Sequence, residues 1–231
     1  MQQPYQIATA QTEQQTTLAQ QSRVLRNTYL LLAISMLPTI AGAMLGVGIA
    51  FRFFILNPII SLVAFMAIAF AFMWAIERTK NSVLGVVLLL AFTFFMGMML
   101  SPLLLFTLGL GNGPQLIATA AGGTGVIFFT MASIATVTKK DFSFMGKFLI
   151  VGVLVTLVAM VANLFLHIPA LYLAISAVCI VLFSMYILYD ISRVIHGGET
   201  NYITATLAIY LDIYNIFVHL LRLLIALSGR D

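Results

Sequence analysis

The chain has 231 residues, of which 62% are hydrophobic and 8% charged, with a formal charge of +4. A soluble domain carries about 25% charged residues, so this composition excludes a water-soluble globular fold and makes lipid the solvent for much of the surface. The small basic excess lies in loops, where it fixes orientation in a membrane; it is no footprint for nucleic acid.

A spanning helix needs roughly 20 mostly apolar residues, and seven runs reach that length with short connections. In hydrocarbon the backbone must satisfy its own hydrogen bonds, which leaves helices or closed barrels. The runs are continuous rather than alternating, so helices are expected. The expected fold is all-α: one polytopic domain of seven transmembrane helices over residues 23–231, preceded by a polar cytoplasmic tail, residues 1–22.

Residues Met1 to Gln21 are Gln/Thr-rich, with no cleavable signal peptide, and read as a disordered or weakly helical tail. Helix 1 is expected from about Tyr29 to Phe51. It contains Pro38, and Gly42 and Gly46 at a spacing that lets another helix approach closely. Helix 2 is expected from Pro58 to about Ile76 and helix 3 from Val83 to about Phe106, with Ser101-Pro102 bending its last turn. The loop Gly109 to Pro114 is glycine-rich, but no strand precedes it and no lysine follows, so it is not a phosphate loop. Helix 4 is expected over Leu116–Val137, helix 5 over Phe148–Leu166, helix 6 from Pro169 to Tyr189 or a turn or more beyond, and helix 7 over Ile203–Leu227. The lone cysteine, Cys179, lies inside an apolar run and has no partner for an internal disulfide.

Orientation follows from the basic residues. With the N-terminus in the cytoplasm, that side receives Arg23, Arg26, Arg78, Lys80, Lys139, Lys140, Lys147 and Arg193, against Arg52 and Arg230 on the far side. The C-terminus then lies on the periplasmic side of a bacterial inner membrane.

Ionisable residues at membrane depth are costly and mark function by default. Nearly all of them lie in helices 6 and 7. Asp190 closes the apolar run of helix 6, and Asp212 sits about 14 Å into helix 7 at 1.5 Å per residue. If helix 6 continues through Arg193, the two carboxylates face each other across an antiparallel pair. Asp212, Asn215, His219 and Arg222 are spaced three, four and three residues and form one polar stripe. Two carboxylates at close range cannot both ionise cheaply, so they share a proton. Protonated, the pair holds two helices together; deprotonated, it repels or accepts a hard cation such as Ca²⁺. Plainer readings stand beside these. Asp190 pairs only with Arg193, His219 is a hydrogen-bonded interior residue, Arg222 snorkels to the interface, and Arg78 is a membrane anchor rather than a partner of the carboxylates.

The stretches Val24-Leu-Arg-Asn-Thr-Tyr29, Lys139-Lys-Asp-Phe-Ser-Phe144, Leu188-Tyr-Asp190, His196-Gly-Gly-Glu-Thr-Asn-Tyr202 and Tyr210-Leu-Asp-Ile-Tyr-Asn-Ile-Phe217 resemble the Bax inhibitor-1 family, and more closely its bacterial YccA branch. The resemblance implies seven helices with one wrapped by the others. It also implies a pH-dependent Ca²⁺ leak gated by a carboxylate pair, here Asp190 and Asp212, with Arg78 near the position of a supporting arginine. Arg193, Asn215 and His219 are further candidate supports of the gate. No resident cofactor is expected, and Ca²⁺ enters only as a permeant or bound ion at Asp190 and Asp212. The YccA branch implies instead a modulator and slow substrate of an FtsH-type membrane protease, engaged through the N-terminal tail. The expected partners are the lipid bilayer, cations and such a protease.

An enzyme is not expected. Intramembrane aspartyl proteases also carry Tyr-Asp, matched by Tyr189-Asp190, but they need Gly-x-Gly before the second aspartate. Ile209-Tyr-Leu precedes Asp212, and Pro169-Ala-Leu171 comes in the wrong order.

Overall fold

The computed structural model describes residues 3–49, 58–138 and 140–229. Arg52, Lys139 and Arg230 of the charge argument lie outside the described residues. The elements in chain order are α1 (Gln3–Ile49), α2 (Pro58–Thr79), α3 (Val83–Leu108), α4 (Gly113–Thr138), a short 3₁₀ turn (Ser143–Met145), α5 (Gly146–Leu166), α6 (Pro169–Ile195) and α7 (Tyr202–Ser228). No strand occurs among the described residues. Among the described residues, six helices are long and apolar enough to cross a membrane, the first of them α1.

The surface accounts for the composition. Leu37, Phe129, Phe148 and Val137 are each more than two-thirds exposed, which water would not tolerate and hydrocarbon favours. Interior helix contacts instead rest on small residues. A Cβ on Gly42 would sit 2.0 Å from the Phe94 carbonyl oxygen, and one on Gly97 would sit 2.0 Å from that of Thr39. The glycine spacing in helix 1 therefore serves a backbone-to-backbone approach of α1 and α3, the use expected of small residues between membrane helices.

Two expectations are corrected. Helix 1 does not begin near Tyr29: the polar N-terminal run is helical from Gln3. Gln, Ala, Leu and Glu are good helix formers, and extending an existing helix avoids the cost of a nucleus. Pro4 stands in its first turn, where a missing N–H costs nothing. Helix 3 also runs on past Phe106, through Pro102, to Leu108.

The last helix, α7, is the hub. It packs against α6, α4, α1, α3 and α2, whereas α5 is peripheral and packs chiefly on α6. Hydroxyls tie the hub to its neighbours. The Tyr210 hydroxyl lies 2.9 Å from Thr39 Oγ1 and 3.4 Å from the Thr93 carbonyl. The Tyr214 hydroxyl donates to the Met96 carbonyl at 3.3 Å, and Thr206 Oγ1 donates to the Thr28 carbonyl at 3.3 Å. Around them Ile187, Ile191, Ile203, Ile209 and Ile216 are fully buried.

Candidate functional site

Helix α6 continues through Arg193 to Ile195, and α7 returns from Tyr202. The reversal between them is a Schellman turn. Gly197 adopts φ +77°, its N–H bonds the Val194 carbonyl, and the Gly198 N–H bonds the Arg193 carbonyl at 2.8 Å. That pattern needs a left-handed residue one position past the helix cap, and glycine adopts it without penalty. Asn201 then caps α7, its side-chain oxygen accepting the N–H groups of Ile203 and Thr204 at 2.9 and 3.3 Å. The Asn201 amide donates to the Lys80 carbonyl and to Asn81 Oδ1, both at 2.9 Å, which pins the reversal to the α2–α3 loop. Gly197→Ala is expected to cost about 1–2 kcal/mol, the penalty for a Cβ in the left-handed region, measurable as a lower thermal midpoint in detergent.

This hairpin brings the Asp190 and Asp212 carboxyls within hydrogen-bonding reach of each other. Asp212 is 5% exposed, and its Oδ2 receives no hydrogen bond from any conventional donor. An ionised carboxylate only accepts, so a bond between these two groups needs a proton between them. The Asp190 side chain keeps 11% exposure, and its oxygen lies 3.9 Å from Arg193 Nη1. Arg193 is drawn elsewhere too: it donates to the Gly198 carbonyl at 3.2 Å and lies 5.6 Å over the Tyr189 ring. Asp190 therefore has both the neighbour of the plainer reading and the opposing carboxyl.

Two residues near the pair were not singled out from the sequence. Tyr186 interacts electrostatically with both carboxyls. It precedes Asp190 by one helical turn, so the i,i+4 spacing held the signal. Glu199 interacts with Asp190 only because the Schellman turn folds the loop back, which no spacing announces.

The rest of the polar stripe has separate partners. Asn215 turns its amide onto the Leu211 carbonyl of its own helix at 2.8 Å. His219 is 4% exposed, with Nδ1 3.5 Å from Ser176 Oγ, the interior hydrogen bond of the plainer reading. Arg222 lies 5.9 Å over the Tyr172 ring. From Asp212 outward, α6 thus meets α7 along a polar seam of Asp190, Ser176 and Tyr172 against Asp212, His219 and Arg222. Arg78 is exposed, with its guanidinium 5.4 Å from the Trp74 ring; the structure does not bring it to the carboxyls.

The α4–α5 connection closes the same end. Ser192 Oγ accepts the Phe142 N–H at 2.9 Å, and the Tyr189 ring lies on the Gly146 backbone. Asp141 accepts the Ser143 N–H at 2.8 Å, and these hydrogen bonds hold its carboxyl below the ordinary carboxylate range. No group of three or more His, Cys, Asp or Glu side chains is gathered as for a metal among the described residues.

Comparison with known proteins adds relatives to this geometry. Residues 21–229 match the family model described as inhibitor of apoptosis-promoting Bax1. An Escherichia coli K12 protein described as modulator of FtsH protease YccA is 41% identical over 216 residues, covering 94% of this chain and 95% of its own. In another Escherichia coli strain the corresponding relative, also 41% identical over 94% and 95% of the two chains, is described as inner membrane protein YccA. An uncharacterised Pseudomonas aeruginosa protein is 38% identical over 229 residues, 99% of each chain.

Proposed function

The chain belongs to the Bax inhibitor-1 family of membrane proteins, and from that premise we propose that it is a pH-sensitive cation leak of the bacterial inner membrane, gated by Asp190 and Asp212. One observation carries the reading: Asp212 is buried deep in the hub helix, with an oxygen that meets no donor and a second carboxyl opposite it. A charge at such depth is costly and is retained where it works.

In this reading the protonated pair clasps α6 to α7 and the seam is shut. Loss of the shared proton leaves two like charges in contact, which drives the helices apart or draws in a cation. Ca²⁺ suits the paired carboxylate oxygens, and it takes six to eight ligands. Two carboxylates supply too few for a resident ion, which fits a passing one. All seven helices cross the bilayer: α2, 22 residues long with Val63, Phe70 and Trp74 outward, is the seventh span. The N-terminus is cytoplasmic and the C-terminus periplasmic, as the basic residues argue.

The test is Ca²⁺ efflux from proteoliposomes between about pH 5 and pH 8, a range that brackets the one-proton and no-proton states of a coupled pair. Flux is expected to rise with pH. Folded protein that passes no more Ca²⁺ than empty liposomes at any pH removes the leak from the account.

A second reading has its own support. The relative described as a modulator of FtsH protease and the largely polar helical stem from Gln3 to Arg26, ahead of the apolar part of α1, favour modulation of an FtsH-type protease through the N-terminal tail. The stem is about 35 Å long at 1.5 Å per residue, long enough to stand clear of the bilayer. Deleting residues 1–17 would then abolish the effect on the protease and leave Ca²⁺ flux unchanged.

A further inference from the structure

A cavity of about 960 Å³ lies between α1 and α4, away from the carboxyl pair. One wall runs from Tyr29 to Val47, the other from Thr136 to Ile117, and Tyr214 and Phe217 of α7 form part of the floor. Eighteen residues of helix cover about 27 Å, close to the roughly 30 Å hydrocarbon thickness of a bilayer. The cavity is thus a slot as long as the membrane core is thick. Ile40, Met44 and Phe129 line it and are also more than half exposed, so it opens sideways to lipid.

Its polar groups are mostly spent within their own helices. Thr39, Thr124 and Thr136 donate to the carbonyls of Ser35, Ala120 and Ala132. The exception is Tyr29, whose buried hydroxyl has no partner. One turn outward on the same helix face stands Arg26, three residues before Tyr29 and seven before the lining residue Ala33. Arg26 is exposed, and no carboxylate pairs with it among the described residues. Lys140 is exposed at the same end of the bundle, for Ser192 meets the Lys140 carbonyl and Val194 packs on Val24. The adjacent acid, Asp141, is turned onto Ser143. An apolar slot of bilayer length therefore ends in an unpaired phenol and a guanidinium with no carboxylate partner among the described residues.

We propose that this slot binds an anionic phospholipid, its acyl chains lying between α1 and α4 and its phosphate held at Arg26, with the Tyr29 hydroxyl just inside. Apolar length selects a membrane lipid, and the cationic mouth selects an anionic headgroup; basic pockets between membrane helices bind such groups. The proposal needs only that the bundle lies in a bilayer and is independent of the leak.

The test is native mass spectrometry of the full chain in mild detergent, titrated with phosphatidylglycerol or phosphatidylcholine. One phosphatidylglycerol per chain is expected to survive delipidation in preference to phosphatidylcholine. Arg26→Gln should cut that preference about fivefold, the loss of roughly 1 kcal/mol for one basic residue at an anionic headgroup, and Arg26→Lys should restore most of it. Ala121→Trp, at an exposed lining position, should expel both lipids while the thermal midpoint of lipid-free protein stays near wild type. Equal retention of the two lipids, or a preference untouched by Arg26→Gln, would mean lipid held only around the bundle and would overturn the site. A photoreactive residue at Ser133, expected to give a lipid-mass adduct in membranes, would overturn it equally by cross-linking to a protein helix.

Discussion

Asp212→Asn is expected to flatten the pH dependence of Ca²⁺ efflux and to hold flux at the wild-type acid level throughout. The substitution keeps the shape and replaces an acceptor with a donor. One Asp212 oxygen is replaced by an amide nitrogen able to donate to Asp190 whether or not a proton is present. The clasp between α6 and α7 no longer depends on pH. A hydrogen bond to a charged group is worth about 1.5–3 kcal/mol, so efflux at the alkaline end should fall roughly tenfold to a hundredfold below wild type. Thermal stability should follow the same logic. In wild type the contribution of the protonated pair is complete at acid pH and is lost as pH rises, because deprotonation leaves two buried like charges. In Asp212→Asn that loss disappears.

Asp190→Asn gives a sharper contrast. It leaves the fully enclosed Asp212 as the sole carboxyl and deprives Arg193 of its neighbour at 3.9 Å. Its flux should be flat as well, but its stability should fall below that of Asp212→Asn, because Arg193 then lacks a counter-charge. If Asp212→Asn retains the wild-type pH profile in protein shown to be folded, the carboxyl pair is not the gate and the proton that governs flux sits elsewhere.

The meeting of Asp190 and Asp212 was legible in the sequence because it needs only two helices, a short reversal and an aspartate on each. The polar stripe of α7 was legible for the same reason, since helical periodicity is local. Partners across helices were not. His219 announced itself as an interior residue, but Ser176 as its partner depends on the register of α6 against α7, which is set by packing. Arg78 stands one turn after Trp74, and nothing in the chain order says whether its guanidinium turns inward or lies over that ring. The N-terminal extension of α1 escaped because hydropathy detects burial in lipid, and residues 3–17 form a helix without it. The slot escaped because it is a space between α1 and α4, elements distant in sequence.

Gly97→Leu is expected to disrupt the bundle more than any single substitution in the carboxyl seam. The Gly42 and Gly46 spacing predicted a close helix approach; the structure supplies the partner and the distance. A Cβ at Gly97 falls 2.0 Å from the Thr39 carbonyl oxygen, and the reciprocal Cβ at Gly42 falls 2.0 Å from that of Phe94. Both obstacles are backbone, so no rotamer change relieves them and α1 must move away from α3. The displaced segment carries Thr39, whose hydroxyl meets Tyr210 of the hub helix at 2.9 Å. Separation therefore costs the α1–α3 contact and loosens α7 as well. Overpacking a tight contact costs about 1–3 kcal/mol and occasionally more, and two backbone clashes on one interface put this case at the upper end. The measurement is the thermal midpoint and monodispersity of purified Gly97→Leu in detergent, beside Gly122→Leu, where a Cβ meets nothing within 4 Å. Gly97→Leu should aggregate or melt far below wild type while Gly122→Leu stays near it. Equal behaviour of the two would show that α1 and α3 are free to separate and that the hub is held by α6 and α4 alone.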